Sequence, residues 1–237
     1  MKFNKLIDFV AVNYNSLDYA EILTKSITKF VDTPHNIIIV DNSDQLSELH
    51  EINSNLLLLK GNNNVDQGNA PSLASAAHAS SIEKGIQSGT AEYICICDID
   101  ICFLSAWTHE ILPMLNDNVF ISHRWEPSFE IARPQFMIFK RSWYKENNFK
   151  FNANYKDTGG FLTKFCTDNE LKFGIITNSY NIPELKDAHI FKEITNGEQA
   201  FSENKIPWLF HHGRGTLGNG HPNRKQWYSV LRKYLLI

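Results

Sequence analysis

The sequence predicts an α/β protein of Rossmann-like character: a parallel sheet flanked by helices, followed by a less regular second half. Three observations predict it. Strand-like and helix-like stretches alternate over the first hundred residues, the strand-like stretches are continuously apolar, and the second half loses the alternation. Continuously apolar strands are what a parallel sheet covered on both faces requires. At 237 residues the chain can bury a sizeable core without disulfide or metal staples. No repeat, low-complexity tract or linker divides it, so one domain over residues 1–237 is expected, with halves at 1–104 and 105–237.

Taken in order, Ile7–Tyr14 (IDFVAVNY) is apolar and β-branched, and Asn15-Ser16 after it reads as a helix cap. Leu17–Phe30 places Leu17, Ala20, Ile22/Leu23, Ile27 and Phe30 at helical spacing. Pro34 ends that helix, and Asn36–Asp41 (NIIIVD) is a buried strand. A weakly helical polar stretch leads to a third strand, Leu56–Lys60. Gly61–Gly68 is an Asn-rich loop, and Pro71–Gln87 is a helix with Pro in its first turn. Tyr93–Asp98 (YICICD) is the fourth strand. Beyond it the expected helices are Trp107–Leu115, Arg141–Asn147, Thr158–Thr167 and Ser229–Ile237. The expected strands are Val119–Ser122, Gln135–Lys140, Lys172–Thr177 and Trp208–His212.

Composition narrows the class. Twelve Gly and eight Pro are too few for a collagenous chain, and no apolar run reaches the roughly 18–20 residues of a membrane span. Met1–Val10, broken by Asp8, lacks signal-peptide character. Cys95, Cys97, Cys102 and Cys166 are read as buried reduced thiols, since no C-x2-C pair supports zinc. Together with the lack of an N-x-S/T sequon, this gives the expectation of a cytoplasmic protein. Met1–Ile121 carries 6 Lys/Arg against 15 Asp/Glu, whereas the remainder carries 17 against 11. Such a split suits a shared site where acidic groups hold a cation and basic groups an anion.

The sharpest chemical signal is Asp98-Ile99-Asp100, at the end of the fourth strand. In open parallel sheets ligands bind outside the carboxyl ends of the strands, so both carboxylates emerge at the ligand crevice. Two carboxylates one residue apart share a hard divalent cation, which in turn neutralises a diphosphate. Val10–Asn15, then Ile39-Val40-Asp41-Asn42, then Tyr93–Asp100 resemble a GT-A-fold glycosyltransferase of the large family 2-like group, in a divergent branch. The likeness covers about the first 110 residues and continues in patches.

That resemblance implies the GT-A fold, a Rossmann-like mixed sheet with a smaller acceptor-side lobe. It implies a nucleotide-diphosphate sugar donor (UDP- or GDP-sugar favoured) and Mn2+ or Mg2+ as cofactor. The acceptor hydroxyl would belong to a glycan, a lipid-linked compound or another hydroxyl compound, a nucleic-acid acceptor being less favoured. The nucleoside cradle carries over onto Val12, Tyr14 and Asp41, with Asn42 beside it. Asp41 either accepts hydrogen bonds from base or ribose, or belongs to an Asp-Asn-Ser-Asp turn. Ser72 and His78 resemble a Ser/His pair at the start of the next helix. Six residues place them roughly 120° from sharing a face. His78 is therefore either a donor contact or a helix histidine.

The Glu-Asp pair usual in inverting members is missing, and Asp157 in Tyr155-Lys156-Asp157-Thr158-Gly159-Gly160 stands in its place. It reads either as a helix cap or as a general base that deprotonates the acceptor. A late His often completes the cation site in this fold. The resemblance falls on His211 or His212, which point opposite ways on an extended segment, with His212 preferred for its nearness to the glycine-flanked Arg214. Arg214 itself could clamp the diphosphate. Two other readings compete. A nucleotidyltransferase of similar sheet would carry a Gly-rich basic loop after the first strand, where Asn13–Leu17 has none. A non-catalytic sugar- or nucleic-acid-binding module would have no use for the cation ligands.

Overall fold

The computed structural model describes residues 5–53, 55–66, 68, 72–185, 190–191, 193–194, 197–213 and 223–237. In chain order, β1 (Ile7–Asn13), α1 (Leu17–Phe30), β2 (His35–Asp41), α2 (Leu46–Ile52), β3 (Leu57–Lys60), α3 (Leu73–Ser88) and β4 (Tyr93–Cys97) form the regular half. The second half runs β5 (Ile101–Phe103), α4 (Thr108–Met114), β6 (Phe120–Ser122), β7 (Trp125–Glu126), β8 (Ile131–Ala132) and β9 (Phe136–Lys140). It continues with α5 (Arg141–Glu146), α6 (Gly160–Asp168), β10 (Gly174–Ile175), β11 (Glu198–Phe201), β12 (Pro207–His211) and α7 (Arg224–Leu235).

The main sheet has the order β10-β6-β9-β4-β1-β2-β3. All its pairings are parallel except those of β9, which runs against both β4 and β6. The parallel pairings are those the alternation predicts, and the mixed, mostly parallel sheet is the one the GT-A resemblance implies. Side chains alternate across it with period two. Ile7, Phe9 and Ala11 of β1, Ile39 of β2 and Cys95 and Cys97 of β4 pack on one face with α1 and α7. Val10, Val12, Ile38, Ile94 and Ile96 pack on the other with α3 and α6. Gly85 lets α3 lie close, because a Cβ there would stand 2.4 Å from Val10 Cγ1.

The four cysteines are buried free thiols, and Cys95 and Cys97 share a face with sulfurs 3.7 Å apart. Ser16 occupies the position before α1, yet makes no side-chain cap; its hydroxyl donates to Tyr14 O at 2.9 Å. Lys172–Thr177 contributes only the two-residue β10, and α7 starts at Arg224, five residues ahead of its expected start.

A second sheet, β11-β12-β5, decides what meets the Asp-x-Asp turn. β12 lies antiparallel to β5 with His211 opposite Ile101, and antiparallel to β11 with His211 opposite Glu198. Two late segments are thereby laid beside residues 98–101. The β7–β8 hairpin positions Arg124, Glu126 and Arg133 nearby.

Candidate active site

The carboxyl ends of β1, β2 and β4 open onto a crevice of about 740 Å³. Its floor is the turn after β4. Asp98 N donates to Gln135 O at 2.7 Å, Ile101 N to Asp98 O at 3.3 Å, and His212 N to Asp100 O at 3.1 Å. Those bonds pin residues 98–100 from three directions. Val12, Tyr14, Asn42, His78, Asp98, Asp100 and Asp157 all line the crevice.

Behind Asp98 and Asp100, which line the crevice, lies the buried His211. His211 Nε2 lies 3.3 Å from Asp100 Oδ1 and 3.7 Å from Asp98 Oδ2. Burial, and after it the charge of Asp100, pushes the Asp98 carboxyl up. Burial opposes protonation of His211, but Asp100 and Glu198 on its two sides outweigh that and hold its pKa well above that of a free imidazole. One ligand atom from each of Asp98, Asp100 and His211 lies within 4.8 Å of the others, so the three can converge on one ion. Two carboxylate oxygens and an imidazole nitrogen form a donor set that suits Mn2+ or Mg2+, and the crowded negative charge gives a cation a reason to bind.

His212, the preferred histidine from sequence, is turned away. Its Nδ1 is 2.7 Å from Tyr19 OH and its ring stacks on Trp227 at 5.4 Å. Alternation along β12 puts one histidine on each face, and the register with β5 gives the carboxylates to His211. Arg214 lies outside the described residues.

Asp41 is also differently employed. It is fully buried, and Oδ1 accepts from Asn13 Nδ2 at 2.8 Å and Ser43 N at 3.1 Å, as well as from the Ser43 hydroxyl. Oδ2 accepts from Gln45 N at 2.8 Å. The carboxylate organises the turn after β2 in place of facing the crevice; Tyr14 and Asn42 form the wall there. Asn42 Oδ1 is itself held by Ser81 Oγ at 2.7 Å.

Ser72 caps α3, accepting from Ser75 N at 3.1 Å, and is absent from the crevice wall. One turn on, Ser75 and His78 face inward. His78 Nε2 is 3.9 Å from Asp98 Oδ1 and its Nδ1 is 3.3 Å from Thr158 Oγ1. Asp157 is not the cap of α6, a position held by Gly159. Its Oδ1 accepts from Thr158 N at 2.8 Å and its Oδ2 pairs with the Arg133 guanidinium. Sequence reading left Glu198, His123 and Arg124 unassigned. Glu198 Oε2 lies 3.3 Å from His123 Nε2 and 3.8 Å from His211 Nδ1, and Oε1 takes Arg124. The only sequence signal was a four-residue strand, too short to stand out.

Neither a protein-family profile nor a curated protein matches this sequence. Solved structures do resemble it. The mannosyltransferase PcManGT from Pyrobaculum calidifontis, in complex with GDP-Man and Mn2+, superposes with a TM-score of 0.55 at 14% identity, over 73% of this chain and 55% of that one. The fold is GT-A. The glycosyltransferase GlyE of Streptococcus pneumoniae TIGR4 gives a TM-score of 0.55 at 11% identity, over 99% of this chain and 61% of that chain. TarS 1-349 of S. aureus, in complex with UDP, gives 0.51 at 15% identity, over 72% and 57%. The chain spans little more than half the length of these GT-A structures. No helix among the described residues is long and apolar enough to cross a membrane.

Proposed function

We propose that this chain transfers a glycosyl group from a nucleotide-diphosphate sugar to an acceptor hydroxyl, with Mn2+ or Mg2+ as cofactor. The observation that carries the reading is the convergence of Asp98, Asp100 and His211 at the carboxyl end of β4, on the crevice of a GT-A sheet. GT-A structures that superpose on it are described with GDP-Man and Mn2+ or with UDP, which favours GDP- or UDP-sugars as donors.

Residues 1–104 supply the nucleotide-sugar side, and residues 105–237 supply the acceptor side together with the C-terminal metal and diphosphate residues. Val12, Tyr14 and Asn42 form a wall for the nucleoside, and Ser75 and His78 line the path between it and the carboxylates. Asp98, Asp100 and His211 would hold the cation. When bound, that ion supplies Lewis-acid stabilisation to the departing nucleoside diphosphate. Arg214 adds positive charge suited to a diphosphate, whereas Arg224 is paired with Asp18.

On the acceptor side Asp157 takes the proton of the attacking hydroxyl. Arg133 fixes its Oδ2, and Oδ1 is positioned by the Thr158 amide with lone-pair capacity left over. A base at that position supports direct displacement as the reading. The chain's own ends of the site therefore divide the work: His78 and the two aspartates organise the donor, and Asp157 with Arg133 organises the acceptor.

The experiment is slow hydrolysis of a panel of UDP-, GDP- and CDP-sugars, each with Mn2+, with Mg2+ and in chelator. Release of sugar from one nucleotide series, dependent on the ion and lost in Asp100→Asn, is the expected result. Hydrolysis undiminished in chelator, or no release of sugar from any of the nucleotide series with either ion, would refute it.

A further inference from the structure

His211 is gripped from both sides. Its Nε2 faces Asp98 and Asp100, and its Nδ1 faces Glu198 Oε2 at 3.8 Å. Glu198 lies directly opposite His211 in the β11–β12 pairing, so the contact is written into the strand register. Around the Glu198 carboxylate, Oε1 is bonded by the Arg124 guanidinium, whereas Oε2 lies near His123 Nε2 at 3.3 Å and His211 Nδ1 at 3.8 Å without a hydrogen bond to either. His123 is wholly buried and stands edge-on to the His211 ring, with centroids 5.6 Å apart.

A carboxylate so little exposed is costly unless it is fully paired. No ladder bond or cap depends on this side chain. Its placement makes sense for another reason. A histidine that ligates a metal through one nitrogen commonly donates its other N–H to a carboxylate, which fixes the tautomer and ring orientation and raises ligand basicity. Here Glu198 stands at the nitrogen away from the aspartates.

We infer that Glu198 is the positioning residue for His211: with the ion bound, the 3.8 Å gap closes, Glu198 accepts Nδ1–H, and the Nε2 lone pair is left directed at the ion shared with Asp98 and Asp100. The inference rests on the cation site proposed above. His123 and Arg124 keep the carboxylate from swinging off His211. A second cation between His123, Glu198 and His211 is the competing arrangement, since their ligand atoms also lie within 4.8 Å of one another. Arg124, already bonded to the same carboxylate, disfavours it by like-charge repulsion.

The test measures Mn2+ affinity and stoichiometry by electron paramagnetic resonance, with UDP or GDP present, for wild type, Glu198→Gln, Glu198→Asp and Asp100→Asn. One ion per wild-type chain is expected, bound roughly 10–100-fold more weakly by Glu198→Gln and partly restored by Glu198→Asp. A merely structural role would lower the melting temperature and leave the affinity of the folded fraction unchanged. Wild type and Glu198→Gln binding equally well, while Asp100→Asn binds nothing, would overturn this inference alone. Failure of wild type to bind Mn2+ would overturn the cation site and this inference with it. Two ions per chain, one lost in Glu198→Gln, would replace it with the second site. Should Glu198→Gln not fold, the tautomer decides. Imidazole 15N spectra of the wild type with Mg2+ and UDP or GDP should show His211 protonated at Nδ1, and a proton at Nε2 refutes the inference.

Discussion

Asp8 and Arg141 offer a sharp test of how this sheet is held at the end remote from the crevice. Asp8 is fully buried near the start of β1. Its Oδ2 accepts from Arg141 Nη2 at 2.7 Å and Ala91 N at 2.9 Å, and its Oδ1 from Asn36 Nδ2 at 2.6 Å. Arg141 in turn donates Nε to Ala91 O at 2.6 Å and Nη1 to Ile86 O at 2.7 Å. One ion pair thus ties β1, the end of α3, the turn before β4 and the start of α5. Asp8→Ala strands the buried guanidinium and two donors, at a cost of about 3–5 kcal/mol. For a chain of this size that corresponds to a fall of roughly 6–20 °C in Tm. Urea unfolding of wild type, Asp8→Ala, Arg141→Met and the double variant makes a complete cycle. The double variant should lose less than the sum of the singles by about 1–3 kcal/mol. A loss below about 1 kcal/mol for Asp8→Ala, or strict additivity, would refute the reasoning.

Gly85→Ala gains up to about 1 kcal/mol in helix propensity but drives a methyl to within 2.4 Å of Val10 Cγ1, an overpacking cost of about 1–3 kcal/mol. A net loss is expected in the urea midpoint, partly recovered in Gly85→Ala/Val10→Ala. Burial raises the Glu126 carboxyl, but the Ser128 hydroxyl, the Arg124 guanidinium and the Tyr180 hydroxyl outweigh it and bring it down from 4.5 to about 2. Its stabilisation is therefore complete above about pH 4.5 and is lost as the pH falls toward about 2. The stability gap between wild type and Glu126→Gln should close over that range, and a pH-independent gap would contradict it. His212→Phe should cost about 1 kcal/mol through the lost Tyr19 bond, seen by thermal melting, and leave Mn2+ affinity unchanged.

The regular half of the fold was legible because β1, β2 and β4 each carry an apolar run, buried in the sheet on both faces. Ile7, Phe9 and Ala11 against Val10 and Val12 illustrate it. β5 and β11, with three and four residues, are too short to stand out as such runs, and their existence depends on pairing with β12. That pairing decides between His211 and His212. Local spacing shows only that the two point apart. Asp98 and Asp100 could be placed because strand ends face the crevice in any parallel sheet. Asp41 follows the same rule of position, yet Asn13, Ser43 and Gln45 capture its oxygens, a competition among neighbours that composition does not reveal. Asp157 meets Arg133 across the chain, whereas sequence could only set it beside the helix that follows.

The central claim is that Asp98, Asp100 and His211 hold one divalent cation against a nucleoside diphosphate. Crystals grown with Mn2+ and UDP or GDP, with diffraction recorded for the anomalous signal of manganese, test it most directly. One anomalous peak is expected among those three side chains, with His211 Nε2 and diphosphate oxygens as ligands. A bound nucleotide with no peak there, or a peak on other residues, would contradict it.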